Sequence, residues 1–213
     1  KKKMDARKKS IYPGFISVHC NFVNYALNLK KDKLLTPKSK SAISSAIIKA
    51  QDHLFKVGIT TANDDGLAKT MIDLIDELQQ KNQLKLKMHI AIASSPEMLT
   101  HYLEKGTYQT NKLTVRSFKF NADYHLLEKY APLIYEKEFQ VNTQATGNFS
   151  DSTLLNIYAN PLKGTNDKRW IIEQAQLINT VNYEKLKTYN IIPSVQPTTP
   201  DSHLTKGQLK KER

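Results

Sequence analysis

Residues 11–22 read I-Y-P-G-F-I-S-V-H-C-N-F, an apolar run that ends on His19, Cys20 and Asn21. In a strand, side chains two apart project to the same side. A strand here therefore delivers His19 and Asn21 together. A His-x-His pair at the end of a barrel strand is half of a metal site. Here an amide stands at the second position. The chemistry in question is that of a metal site, one that lacks one of its first two nitrogens. Cys20, the one cysteine of the chain, alternates against this pair. It is expected to face the opposite side as a small buried hydrophobe rather than as a nucleophile. A single cysteine rules out an intrachain disulfide and Cys-rich zinc sites.

The elements that must position these residues alternate strand and helix. After the opening strand the spacing predicts a helix over 39–57, with Ile43, Ala46, Ile47, Ala50 and Leu54 on its apolar face and Gly58 just past its end. A short strand over 59–62 ends at Asn63-Asp64-Asp65-Gly66, where Asp64 and Asp65 are placed to cap the following helix over 67–80. The alternation continues with a strand over 84–93, a helix opened by Ser94-Ser95-Pro96 and closed by Gly106, and a strand over 113–120. A helix over 124–135 follows, which Pro132 is expected to kink or shorten. Then come a strand over 139–143, a helix over 152–159, a strand over 170–175, a helix over 181–189 and a strand over 191–196. Strand starts spaced 20 to 30 residues apart fit parallel strands joined by helical crossovers. The fold class is α/β, read as a TIM-type (β/α) barrel truncated to about seven parallel strands where a complete barrel has eight; from the pattern alone an open doubly wound sheet also fits, although no G-x-G-x-x-G phosphate loop is present. With no eighth strand the sheet keeps two edges, which favours a homo-oligomer through the open edges.

Composition bounds the function. The chain has 213 residues and is 39% hydrophobic, enough for one large domain or two small ones. No run approaches the ~18 apolar residues of a membrane helix. The first residues are basic, but the apolar stretch behind them contains Pro13, Gly14 and His19, a poor signal-peptide core. The expected compartment is the cytoplasm. The net charge is +12. Residues 1–10 carry +5 and residues 206–213 carry +3, so two-thirds of it sits in the two ends. Such a distribution describes solvated tails and argues against specific nucleic-acid recognition.

Five further segments share an order with the opening one. They are V-G-I-T-T-A-N-D-D-G (57–66), L-T-V-R-S-F-K-F-N-A-D (113–123), F-Q-V-N-T-Q-A-T-G-N (139–148), R-W-I-I-E-Q-A-Q (169–176) and I-I-P-S-V-Q-P-T (191–198). Together the six resemble the amidohydrolase superfamily, in its amidohydrolase 3 branch of metal-dependent hydrolases. That branch reads Y-P-G-F-I-D-A-H-x-H, G-I-T-T-x-x-D, V-K/R-x-x-K-x-x-x-D-G, a strand ending H-A-I-G-D, R-x-x-I-E-H-A-Q and S-x-Q-P-T-H. The resemblance divides the chain into a basic tail with the remnant of an N-terminal sandwich (1–10), the barrel (11–203) and a second basic tail (204–213). It also implies truncation. Most of the sandwich, a long segment between Leu29 and Leu34, part of the loop after Asp123, and the strand bearing the catalytic aspartate have no counterpart.

What the resemblance implies for the site is a divalent metal, commonly zinc, at the C-terminal ends of the strands. The ligands are a His-x-His pair, a carboxylated lysine, two more histidines and an aspartate. The substrates carry amide-like, non-peptide C–N bonds. On this chain His19 matches the first histidine and Lys119 the lysine. Asn21, Gln144, Gln174 and Thr199 stand where the other histidines belong. Amide oxygens hold zinc far less well than imidazole nitrogens. The implied function is a metal-dependent hydrolase of small amide-like molecules whose catalysis is impaired and whose metal is weakly held or lost. Two other readings stay open: a non-catalytic barrel that binds a small ligand or a protein partner, and a basic protein that binds nucleic acid through its tails. Lys119 as a plain ammonium is expected to pair with Glu173 or Asp123. His53, His89, His101, His125 and His203 show no ligand spacing and are expected to be structural or exposed.

Overall fold

The computed structural model describes residues 10–29, 39–121, 123–145, 152–175 and 180–195. Their elements, in chain order, are β1 (Phe15–Cys20), α1 (Phe22–Asn28), α2 (Lys40–Lys56), β2 (Ile59–Leu67), α3 (Lys69–Gln80) and β3 (Lys87–Ala93). Next come α4 (Pro96–Lys105), β4 (Tyr108–Gln109), β5 (Leu113–Asn121), α5 (Tyr124–Glu136) and β6 (Gln140–Gln144). The last are α6 (Thr153–Leu162), β7 (Ile171–Glu173), α7 (Tyr183–Thr188) and β8 (Ile192–Ser194). Strand order is β1-β2-β3-β5-β6-β7-β8, with the two-residue β4 pairing antiparallel onto β5. Seven parallel strands with alternating helices make this a truncated α/β barrel of TIM type, as the strand spacing predicts. Among the described residues no helix is long and apolar enough to cross a membrane.

One local device recurs. A residue in the left-handed region follows each of α2 to α7: Gly58, Asn82, Gly106, Glu138, Lys163 and Asn190. Such a residue turns the chain out of the helix and lets its N–H satisfy a carbonyl of the last turn. Gly58 donates to the Phe55 carbonyl at 3.0 Å and Glu138 to that of Tyr135 at 3.2 Å.

The chain forms two compact units, Lys1–Ile92 with Tyr108–Arg116, and Ala93–Thr107 with Ser117–Arg213. In the first, β1 pairs parallel with β2 and β2 with β3. Ala46, Ile47 and Ala50 of α2 are buried, the centre of the face that the helical spacing predicts, while Ile43 and Leu54 are half-buried; Ile72, Leu74, Ile75 and Leu78 of α3 are buried as well. Several boundaries differ from expectation. The third parallel strand begins at Lys87 rather than at residue 84, because residues 83–86 bond outside the ladder: the Gln83 and Leu84 N–H groups donate to the Leu78 carbonyl at 2.9 and 3.1 Å, and those of Lys85 and Leu86 to a side chain. The Gln51 amide oxygen accepts from the N–H groups of Lys85 and, at 3.2 Å, Leu86. The Gln79 amide nitrogen donates to the carbonyl of Leu86 at 2.8 Å. The opening strand is also shorter, and a helix, α1, follows at once. Phe22, Val23 and Ala26 recur at helical spacing and are buried.

In the second unit β5, β6, β7 and β8 pair in sequence, all parallel. Trp170, Tyr158, Phe118, Phe120 and Phe139 are fully buried. The Trp170 indole stands edge-on to Tyr158, centroids 4.9 Å apart, and its N–H donates to the Phe139 carbonyl at 3.2 Å. Pro132 does not shorten α5, which continues to Glu136. At β8, the Ile192 N–H donates to the Trp170 carbonyl (2.9 Å) and the Ser194 carbonyl accepts from Ala175 (3.0 Å).

Gln51 is 5% exposed, so Gln51→Ala strands the amides of Lys85 and Leu86 without their acceptor. The expected cost is about 2–3 kcal/mol, read as a lowered urea midpoint. A change below about 0.5 kcal/mol would show that water replaces the side chain there.

Candidate functional site

His19 is the penultimate residue of β1. Its Nδ1 lies 3.9 Å from the Asp65 carboxylate of β2, with side chains 30% and 10% exposed. Asn21 does not stand beside it. The strand ends at Cys20, and Asn21 occupies the position before α1, exposed and with no side-chain cap. Strand alternation therefore does not carry past Cys20, and the His19–Asn21 pairing expected from it is not formed. Cys20 is half-buried, its thiol donating to the Asn63 carbonyl at 2.8 Å. Burial raises its pKa, which favours the inert thiol.

Asp64 and Asp65 lie inside β2, which runs to Leu67 instead of ending near Ala62. They do not cap α3, whose preceding residue is Ala68 with no side-chain cap. Asp64 serves α1 instead. Its carboxylate accepts from the Val23 N–H at 2.7 Å and from the Asp65 N–H at 2.8 Å. Asp64 is 3% exposed, and burial pushes its pKa up to about 6 against the lowering effect of those two bonds.

In the second unit Lys119 of β5 forms an ion pair with Glu173 at the end of β7, the two side chains 5% and 6% exposed. This is one of the two pairings expected for a plain ammonium. One strand over, the Gln144 amide nitrogen donates to the Gln174 amide oxygen at 3.1 Å. The resemblance equates both positions with histidines, and the structure brings them into contact. Gln174 holds a left-handed backbone at φ 56°, a conformation that costs a non-glycine residue about 1–2 kcal/mol. Beneath them the Tyr158 hydroxyl lies 2.8 Å from the Thr143 hydroxyl and 3.0 Å from the Ile171 carbonyl. Desolvation raises its pKa, so it stays a neutral phenol. Neither the Tyr158–Thr143 contact nor the role of Asp64 shows in a sequence motif. Each depends on a partner at long range. Thr199 and His203 lie outside the described residues.

The remaining histidines take the expected places. His53 lies 3.2 Å from the Tyr25 hydroxyl, and His101 packs edge-on to Tyr102. His89 and His125 are exposed.

These donors do not fit a hydrolytic zinc. An ammonium engaged by a carboxylate offers no lone pair. Gln144 and Gln174 turn their amides on each other, and His19 supplies the one imidazole among the matched positions. The second unit by itself offers amide and carboxylate oxygens, a set suited to hard cations rather than to zinc.

A scan against known protein families matches none, and a search of curated proteins finds no match. Solved structures do match. A structure described as an uncharacterized metal-dependent hydrolase from Pyrococcus furiosus aligns at a TM-score of 0.62 and 17% identity, over 78% of this chain and 40% of that one. Another uncharacterized metal-dependent hydrolase, from Pyrococcus horikoshii OT3, aligns at 0.62 and 18%, over 78% and 38%. Molinate hydrolase aligns at 0.56 and 13%, over 88% and 52%. The likeness shows that the chain has the fold these metal-dependent hydrolases use. The chain spans about 40% of the length of the two Pyrococcus proteins.

The raised pKa of Asp64 sets a pH dependence. An aspartate pushed up on folding contributes stability that is full below its ordinary pKa near 4 and is lost as pH rises through 6. Asp64→Asn keeps an acceptor for Val23 and cannot ionise. Relative to this variant, the unaltered protein is expected to lose on the order of 2–3 kcal/mol between pH 4 and pH 7.5. Urea melts of both proteins at the two pH values measure the difference, and parallel losses would reject the assignment to Asp64.

Proposed function

We propose that the chain is part of an amidohydrolase-type barrel of the amidohydrolase 3 branch, by ancestry a hydrolase of non-peptide C–N bonds, in which the metal positions have passed to amides and an ion pair. Hydrolysis is impaired in it. The observation that carries this reading is the Gln144–Gln174 hydrogen bond, made between two positions that the resemblance assigns to metal-binding histidines. The Lys119–Glu173 ion pair supports it. There the lysine nitrogen is engaged by the Glu173 carboxylate, where the resemblance expects it to carry a metal-bridging carbamate. A zinc ion in such a barrel would supply a water of lowered pKa. The donors present do not fit that ion, and no hydrolytic step follows from them. The truncation inferred from the motifs accords with the share of the solved structures that the chain spans.

Metal analysis of the purified protein after incubation with zinc is expected to find less than about a tenth of an equivalent per chain. No zinc-dependent hydrolysis of cyclic amides or ureas is expected above background. The double variant Gln144→His, Gln174→His is expected to hold more zinc than the unaltered chain. A full equivalent of zinc in the unaltered protein, with turnover that chelation abolishes, would overturn the impaired reading.

A barrel that binds a small ligand without turning it over is favoured by one further feature. An open groove of about 870 Å³ in the second unit is lined by Tyr183, Leu186, Ile191, Ile192 and Val195, with Asp167 and Arg169 among its polar residues. A ligand of this groove is expected to raise the melting temperature saturably and to lose that effect in Ile192→Glu. A rise unchanged in the variant would place the ligand elsewhere.

A further inference from the structure

Several cations on the helices of the first unit are matched to carboxylates. Lys40 and Lys81 lie 2.5 and 2.6 Å from Glu77, and Lys69 lies 2.5 Å from Asp73. On the sheet the pattern reverses. Lys87 and His89 are two apart on β3, so they project to one side, and both are exposed. Their partners in the parallel register are Thr61 and Asn63 of β2, uncharged residues. Toward β5, the Met88 N–H donates to the Lys112 carbonyl at 2.7 Å. Arg116, also exposed, is close enough for its charge to act on His89. Partial burial lowers the His89 pKa, and the charges of Arg116 and Lys87 lower it further. Among the described residues, no carboxylate lies in ion-pair contact with Lys87, His89 or Arg116. The acidic group further along β2, Asp65, stands beside Ala91 and lies against His19.

Like charges gathered on neighbouring strands weaken a sheet. Folding gains nothing from this arrangement, and local rules are commonly broken where a protein binds something. We propose that Lys87, His89 and Arg116 form a binding site for a small oxyanion, a carboxylate or phosphate group carried by a small-molecule ligand. The guanidinium offers two parallel N–H donors matched to two oxygens. The ammonium adds a compact charge, and the imidazole adds a ring N–H. An arriving anion supplies the counter-charge that the β-strands do not. This site needs neither a metal nor turnover, so it stands or falls apart from the hydrolase reading.

The test is a titration of the full chain with inorganic phosphate, followed by NMR of the histidine ring protons at pH 7 and constant ionic strength. A parallel titration with acetate separates phosphate from carboxylate as the preferred group. The His89 signals are expected to shift saturably, while those of exposed His53 and His125 stay still. Arg116→Gln is expected to weaken the binding about tenfold, the effect of removing a charge-assisted hydrogen bond, and Lys87→Gln to weaken it less. Arg116→Gln without ligand is expected to melt no lower than the unaltered protein, since it relieves repulsion. Should it fail to fold, Arg116 is structural and the proposal falls. Shifts that do not saturate, that appear equally at His53 and His125, or that survive in both variants would reduce the cluster to a solvated surface and overturn it.

Discussion

The ion pair between Lys119 and Glu173 governs the strand ends of the second unit. Two side chains that are each about one-twentieth exposed have given up most of their hydration. Either charge left alone there would cost several kcal/mol. Holding them together requires β5, β6 and β7 to keep their register, with Lys119 level with Asn142 and Glu173 level with Gln144. A slip of one residue would send one of the charges to the opposite face of the sheet. The pair thus ties two strands across a third, and the Gln144–Gln174 hydrogen bond falls into place above it. It also constrains change at the site. Removing either member alone takes from the other its buried partner, so a change at one position is coupled to the other.

The strand–helix alternation was legible because each crossover carries its own period. The apolar faces of α2 and α3 follow helical spacing closely. Gly58 and Gly106 mark their turns by composition, whereas Glu138 and Lys163 take the same left-handed geometry with no residue-level signal. Their turns are imposed by the packing of the elements on either side. The opening strand misled for a related reason. Phe22 and Val23 look like its continuation, yet Asp64, 41 residues away from Val23, offers the carboxylate that starts a helix there. A cap supplied across such a distance leaves no local mark. The same cause hid the true extent of β2. Asn63-Asp64-Asp65-Gly66 has turn composition, and only its neighbours β1 and β3 make it a strand.

At the site, matched positions carried more than composition could. Lys119, Gln144 and Gln174 were singled out by their places in strand-end motifs, and the structure puts all three in polar contacts at strand ends. Asp65 beside His19 was not foreseen, since it required β2 to run past Ala62. The cluster of Lys87, His89 and Arg116 was missed for a different reason. Charged residues on a strand ordinarily signify a solvated face, and the missing counter-charges become visible only once the partners of both strands are known.

The last strand has a consequence for the company this molecule keeps. Ile192 and Ser194 spend their backbone groups on the rest of the sheet, so the residue of β8 whose backbone turns outward is Pro193. A proline has no N–H to offer. At Pro193 itself a neighbouring strand would meet a carbonyl and no donor. The three-residue strand is therefore hemmed at its middle residue, like the selvage of a woven cloth.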